Sequence, residues 1–146
     1  MMILASEISG DPLDRGYATM TAAEIADSLN AVNRPGLVPA EDVRRYLMLA
    51  GKWAFIADDA VNHATAETRR ACLTLTSALE SFEAFDLQDA TILAVVSGGL
   101  DGLVSTGHLV VDDKAAILGL ENNRQSRGQE IGAGRVTIGA VERARP

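Results

Sequence analysis

At 146 residues and 47% hydrophobic, the chain is long enough for one domain with a substantial core, too short for two large ones, and too apolar for a disordered segment. With one Trp, two Tyr and three Phe, that core has to be built from Ala and Leu, which suits closely packed helices. The net charge of -7 is unevenly placed: residues 1–121 carry 8 basic and 18 acidic side chains, whereas residues 122–146 carry 5 Arg and 2 Glu.

In chain order, residues 2–8 read as a short helix ended by Gly10. Asp11-Pro12 is a cap followed by a first-turn proline, opening a turn through Tyr17. Thr21-Ala-Ala-Glu24 is a capping box, and it starts a helix whose apolar side is Ala22, Ile25, Ala26 and Leu29. Two prolines and a glycine within residues 30–39 predict a loop or extended arm. Pro39 then fits the first turn of an amphipathic helix over 39–50, with Glu41 and Asp42 at its positive end and Val43, Tyr46, Leu47 and Ala50 at helical spacing. Gly51 breaks it, and 52–61 continues as a helix burying Trp53, Ile56 and Ala60.

Thr65 caps the longest predicted helix, to about residue 85, with Cys72, Leu75, Leu79 and Phe82 as a narrow apolar seam for a neighbouring helix. Asp86 to Gln88 is a turn, and Asp89 caps a helix through Thr106. Ser97-Gly98-Gly99 inside that helix costs about 2 kcal/mol relative to alanines, which points to a kink or a close helix crossing. Gly107 ends it, 108–110 is a tight connector, and Asp112 or Asp113 caps the next helix through Leu120. Residues 126–131 form a turn of helix stopped by Gly132, and Thr137 caps a terminal helix through Arg143. The only strand candidates are 108–111 and 135–137. The resulting expectation is an all-α, single helical domain over 1–146, a bundle of six to eight short helices. It divides into capped N-terminal helices (1–30), a loop or arm (31–39), a helical core (40–121) and a Gly-hinged, basic C-terminal docking segment (122–146).

Little in the chain carries reaction chemistry. His63 and His108 lie on different predicted elements, and neither has a second His or Cys at metal-ligand spacing, so no metal is expected. Asp58-Asp59 and Asp112-Asp113 are carboxylate pairs, but adjacent helical residues diverge by about 100°, which favours capping and solubility over a shared site. Gly132-Ala-Gly134 lacks the flanking strand and helix of a dinucleotide fingerprint, and no P-loop or nucleophile elbow is present. Cys72 excludes an intrachain disulfide and reads as a small core residue. The connector at 107–114 is helix–turn–helix-like, yet Asp112 and Asp113 would repel a phosphate backbone where a recognition helix needs cations. No stretch reaches the ~20 apolar residues of a membrane span, and the first ten residues lack a basic leader, so neither membrane nor secretion is expected.

The basic end remains. Arg124, Arg127, Arg135, Arg143 and Arg145 are candidates for contact with an acidic neighbour, including a second copy, or else a solvated helix end placed where the macrodipole favours cations. Nucleic acid is the least favoured partner of this segment.

Two blocks carry a family resemblance. Asp11-Pro12-Leu13, Arg15-Gly16-Tyr17, Met20-Thr21 and Ala26-Asp27-Ser28-Leu29-Asn30 resemble the opening of small accessory proteins of siphovirus-type tailed bacteriophages and prophages of proteobacteria. Ser126-Arg127, Glu130-Ile131-Gly132, Arg135-Val136-Thr137-Ile138-Gly139, Val141 and Ala144-Arg145 resemble the ending of the same family. Together they span about one third of the chain, and the family has no catalytic residues to carry over. The resemblance implies a phage gene product made with the structural genes, and the function expected of it is that of a non-enzymatic virion component of the tail, tail tip or connector region. It would need no cofactor, would be assembled in the bacterial cytoplasm, and would bind other phage structural proteins and copies of itself. An assembly chaperone or host-protein-binding adaptor, absent from the particle, is the alternative. A small hydrolase would require His63 or His108 beside a nucleophile in a cleft. Deleting 122–146 is expected to leave a folded domain that fails to incorporate.

Overall fold

The structure, a computed structural model, describes residues 2–146, with the backbone alone at Met2. It is mostly helical, 65% of the chain, with nine α-helices and two short antiparallel strand pairs among the described residues. No helix among them is long and apolar enough to cross a membrane. The chain forms two compact units: residues 1–35 together with 122–146, and residues 36–121. The second boundary falls where the sequence changes charge sign, whereas the first lies inside the predicted arm.

The first unit is built from both ends of the chain. α1 (Met2–Gly10) leads into a loop organised by Asp11, whose carboxylate accepts the amides of Arg15 at 2.7 Å, Gly16 at 2.8 Å and Tyr17 at 3.3 Å. Burial would raise this carboxyl, but those amides outweigh it and hold it below its ordinary value. Asp11 is itself left-handed, with φ 39°, and Gly16 follows at φ 82°. α2 (Ala22–Asn30) starts at Thr21, whose hydroxyl oxygen accepts the Glu24 amide and whose proton goes to the Glu24 carboxylate at 3.0 Å. All four of its predicted apolar positions are buried.

The tail supplies the other half of this core. Ser126 and Gln129 form a capping box that opens α8 (Arg127–Glu130), and the Thr137 hydroxyl accepts the Ala140 amide to open α9 (Ile138–Ala144). Leu4, Ile25 and Leu29 from one end pack with Val136, Ala140 and Val141 from the other. The Asn30 side chain clamps the backbone of Val136 in both directions, at 2.7 and 2.8 Å. Deleting 122–146 would therefore strip the N-terminal helices of their partners rather than trim a docking arm.

The second unit holds α3 (Ala40–Leu49), α4 (Trp53–Asn62), α5 (Ala66–Ser81), α6 (Ala90–Ser105) and α7 (Val111–Leu118) around Val43, Leu47, Ile56, Leu79, Leu100 and Leu103. Gly51, at φ +73°, makes the break between α3 and α4. Pro39 is the N-cap of α3 rather than part of its first turn. Asp89 caps α6 as expected, accepting the amides of Thr91 and Ile92. Val110, not Asp112 or Asp113, is the N-cap of α7, and the Asp113 carboxylate reaches back from the third turn position to the Val110 amide at 2.9 Å.

Three further expectations are corrected. The strands are not at 108–111 or 135–137: β1 (Val32–Arg34) pairs with β4 (Gln125–Ser126), and β2 (Val38–Pro39) pairs with β3 (Ala84–Phe85). The predicted arm is thus pinned by a strand pair at each end, because paired amides and carbonyls are favoured over a bare extended backbone. α5 stops at Ser81, since Phe82 turns extended (φ -115°, ψ 133°) to enter β3. Finally, α6 runs unbroken through Ser97-Gly98-Gly99, and a Cβ at Gly98 or Gly99 would meet nothing within 4 Å. The near approach on that helix is at Gly102, 3.9 Å from the Ala71 Cβ.

Candidate functional site

In the first unit the basic tail meets the acidic N-terminal segment, and the unit as a whole carries seven Lys or Arg and seven Asp or Glu. Arg127 is held inside it, 14% exposed, donating through Nε and Nη2 to both oxygens of Glu7 at 2.8 Å and through Nη1 to Glu130 at 2.9 Å. Arg34 adds a second guanidinium to Glu130 at 2.9 Å. These bonds raise the Arg127 pKa, the Glu7 pair contributing most. Arg124, Arg135, Arg143 and Arg145 are exposed on the unit's surface, so four of the five candidate arginines face outward and the fifth is a structural anchor.

Glu130 makes a pH prediction. Hydrogen bonding from Arg34, reinforced by Arg127 and opposed by burial, lowers its carboxyl from 4.5 to about 2. A depressed carboxyl stabilises the fold fully above its unfolded value and loses that contribution as pH falls from about 4.5 toward 2. Urea midpoints of the wild type should therefore fall across that interval, and Glu130→Gln should flatten the fall. Parallel curves for the two proteins would show that Glu130 is not ion-paired.

The second unit brings the histidines to one polar depression of about 340 Å³, lined by Lys52, Phe55, Asp59, His63, Thr106 and His108. His108 Nε2 lies 2.6 Å from Asp59 and 3.5 Å from Cys72 Sγ, and its Nδ1 lies 2.8 Å from the Thr106 hydroxyl. Adjacency in sequence hid this cluster: Asp59 works with a residue 49 positions away, not with Asp58. The set resembles a nucleophile–base–orienter arrangement, but the geometry opposes one. The same ring nitrogen faces both thiol and carboxylate, whereas an activating base needs one nitrogen for each. Cys72 is fully buried, and desolvation with the Asp59 charge pushes its thiol up, away from the thiolate. The cluster ties α4, α5 and the α6–α7 connector together. Asp113 does similar work beside it, accepting from Lys52, Tyr46 and the Val110 amide; these bonds outweigh burial and keep its carboxyl below the ordinary value. Among the described residues no group of three His, Cys, Asp or Glu side chains is placed to hold a metal ion.

The feature without an internal explanation is an apolar groove of about 220 Å³ between α5 and α6. Its floor is the buried Val43, Leu79, Leu100 and Ile117; its walls are Leu75, Ala78, Ile92 and Val96. Phe82 and Val95 stand on the rim at 58% and 67% exposure. Gly99 also lines it, so the missing side chain that a crossing would have used instead leaves the groove open. Of the predicted apolar seam, Leu75, Leu79 and Phe82 line this groove, whereas Cys72 lies outside it, buried against His108. Met48, Leu49 and Phe55 are further bare apolar side chains at the α3–α4 turn. No family model, curated protein or solved structure matches the chain. Fold and groove together define a small, mostly helical protein with an unpartnered apolar face.

Proposed function

We propose that the protein is a non-enzymatic structural component of a tailed-bacteriophage particle, in the tail, tail-tip or connector region, acting through protein–protein contacts. The observation that carries this reading is the open groove between α5 and α6, rimmed by exposed Phe82 and Val95. Apolar surface left in water costs about 25 cal/mol per Å², and soluble monomers seldom leave a contiguous patch of it bare. The phage assignment rests on the two resembling blocks. Both lie in the first unit, where Leu29 and Asn30 of one meet Val136 and Val141 of the other, and this shared core is a physical reason for the two blocks to occur together.

Mass spectrometry of gradient-purified particles, calibrated to the major capsid protein, tests the proposal. A stoichiometric signal is expected, and its multiple would indicate the ring or lattice that holds it. Absence from particles with presence in the infected-cell lysate would overturn it in favour of an assembly chaperone or adaptor. Because residues 122–146 complete a core, their docking role is tested with Arg135→Ala, Arg143→Ala and Arg145→Ala combined, not by deletion. Incorporation of that chain at wild-type copy number would remove the tail from docking.

A further inference from the structure

We propose that the α5–α6 groove receives one basic, amphipathic helix of a partner protein, an inference that rests on reading the groove as a protein contact. Three observations select this occupant. The first is length. Groove-lining residues run from Thr74 on α5 to Phe82 just past its end, and from Thr91 to Leu100 on α6. At 1.5 Å per residue these spans are about 12–14 Å, enough for anchors at i, i+3 or i+4, and i+7 of a docked helix.

The second is the lack of polar groups. Thr74 and Thr91 are the only polar side chains lining the groove, and the Thr74 hydroxyl is already given to the Arg70 carbonyl. An extended peptide would bury amides and carbonyls there without partners, whereas a helix satisfies its own.

The third is charge. Between residues 71 and 113 there is no Lys or Arg, and there are seven Asp or Glu. Glu80, Glu83, Asp86 and Asp89 fall between lining residues along the α5–β3–α6 connection, so that end of the groove is acidic: Glu80 and Glu83 are exposed, while Asp86 and Asp89 accept nearby backbone amides. In α3, Arg44 is committed to the Leu79 carbonyl at 3.3 Å and to the face of Trp53. The second unit as a whole has six basic and thirteen acidic side chains. A helix with Leu-like anchors and flanking Lys or Arg is complementary on both counts, and its arrival would be electrostatically steered.

The test uses the full chain and two synthetic helical peptides of about five turns. Both carry the same leucine stripe, one flanked by Lys and Arg and the other by Glu. Fluorescence anisotropy should show the basic peptide binding at least about tenfold more tightly, with the difference shrinking as salt screens the acidic end. Gly99→Leu fills the groove from a position with open space, and Val95→Glu charges an exposed rim; each should weaken the basic peptide at least about tenfold. Glu80→Lys with Glu83→Lys should reverse the preference between peptides. Equal affinities overturn the proposal, as does binding indifferent to both Gly99→Leu and Val95→Glu, which would be attraction to an acidic surface at large. Concentration-dependent self-association abolished by Gly99→Leu would seat a second copy in the groove and overturn the choice of partner. Particle stoichiometry is independent of these readouts: a particle component that ignores both peptides sinks this inference alone, and a peptide-binding chain absent from particles sinks only the virion assignment.

Discussion

Replacing Arg127 with Met should destabilise the first unit by about 3–5 kcal/mol, the cost of leaving a buried charge without its partner. Glu7 is only 4% exposed, and its two oxygens face the Arg127 fork at 2.8 Å each, with the Tyr17 hydroxyl at 3.4 Å as its remaining contact. Such a bidentate pair is strong because both charges are satisfied at once, and removing one leaves the other desolvated and uncompensated. The same substitution also releases the Nη1 bond to Glu130, which keeps Arg34. Adding Glu7→Gln to Arg127→Met should recover most of the loss, since a neutral amide tolerates burial far better than a carboxylate. Urea unfolding by far-UV circular dichroism measures the cost, while Trp53 emission reports the second unit separately. A cost below about 1 kcal/mol would mean that the pair is solvated like an ordinary surface bridge.

Gly128→Ala should cost about 3 kcal/mol, at the upper end for overpacking. A Cβ there would lie 2.4 Å from the Gly134 carbonyl oxygen, 3.1 Å from Val136 Cγ2 and 3.2 Å from the Leu29 carbonyl oxygen. Two of these neighbours are backbone and cannot swing aside. The Ala133 and Gly134 amides both donate to the Gly128 carbonyl, at 2.8 and 3.0 Å, and Val136 is clamped by Asn30. Relief of the clash therefore strains the hydrogen bonds that fold the 132–136 loop onto α8 and those from Asn30 that join the tail to α2. The sign is diagnostic: at Gly98, in mid-helix with open space, the same change should gain up to about 1 kcal/mol through helix propensity. A neutral or stabilising Gly128→Ala would show that the 132–136 loop does not lie over α8.

The Arg127 effect depends on a contact between the two ends of the chain, 120 residues apart, and the Gly128 effect in part on the Leu29 carbonyl and the Asn30 clamp from the other end. That distance separates what was legible in the sequence from what was not. Thr21 with Glu24, Ser126 with Gln129, Asp89 and Thr137 all start helices where local chemistry places them, because a cap and its amides lie within three residues. Ala22, Ile25, Ala26 and Leu29 are buried as their spacing requires. The strands escaped notice because each is two or three residues long, too short to alternate, and exists only by pairing with a distant segment. His108 with Asp59, and Arg127 with Glu7, escaped for the same reason.

By itself, then, the sequence determined a mostly helical chain, the start of most of its helices and much of its apolar face, since these follow from side-chain periodicity and capping within one or two turns. Tertiary structure alone decided that the basic tail neutralises its own N-terminal segment, that the 30–39 stretch is pinned rather than projecting, and that α5 and α6 part over Gly99. Those outcomes depend on which distant surfaces meet. Local propensity is indifferent to that choice, and burial together with hydrogen-bond satisfaction across the whole chain makes it.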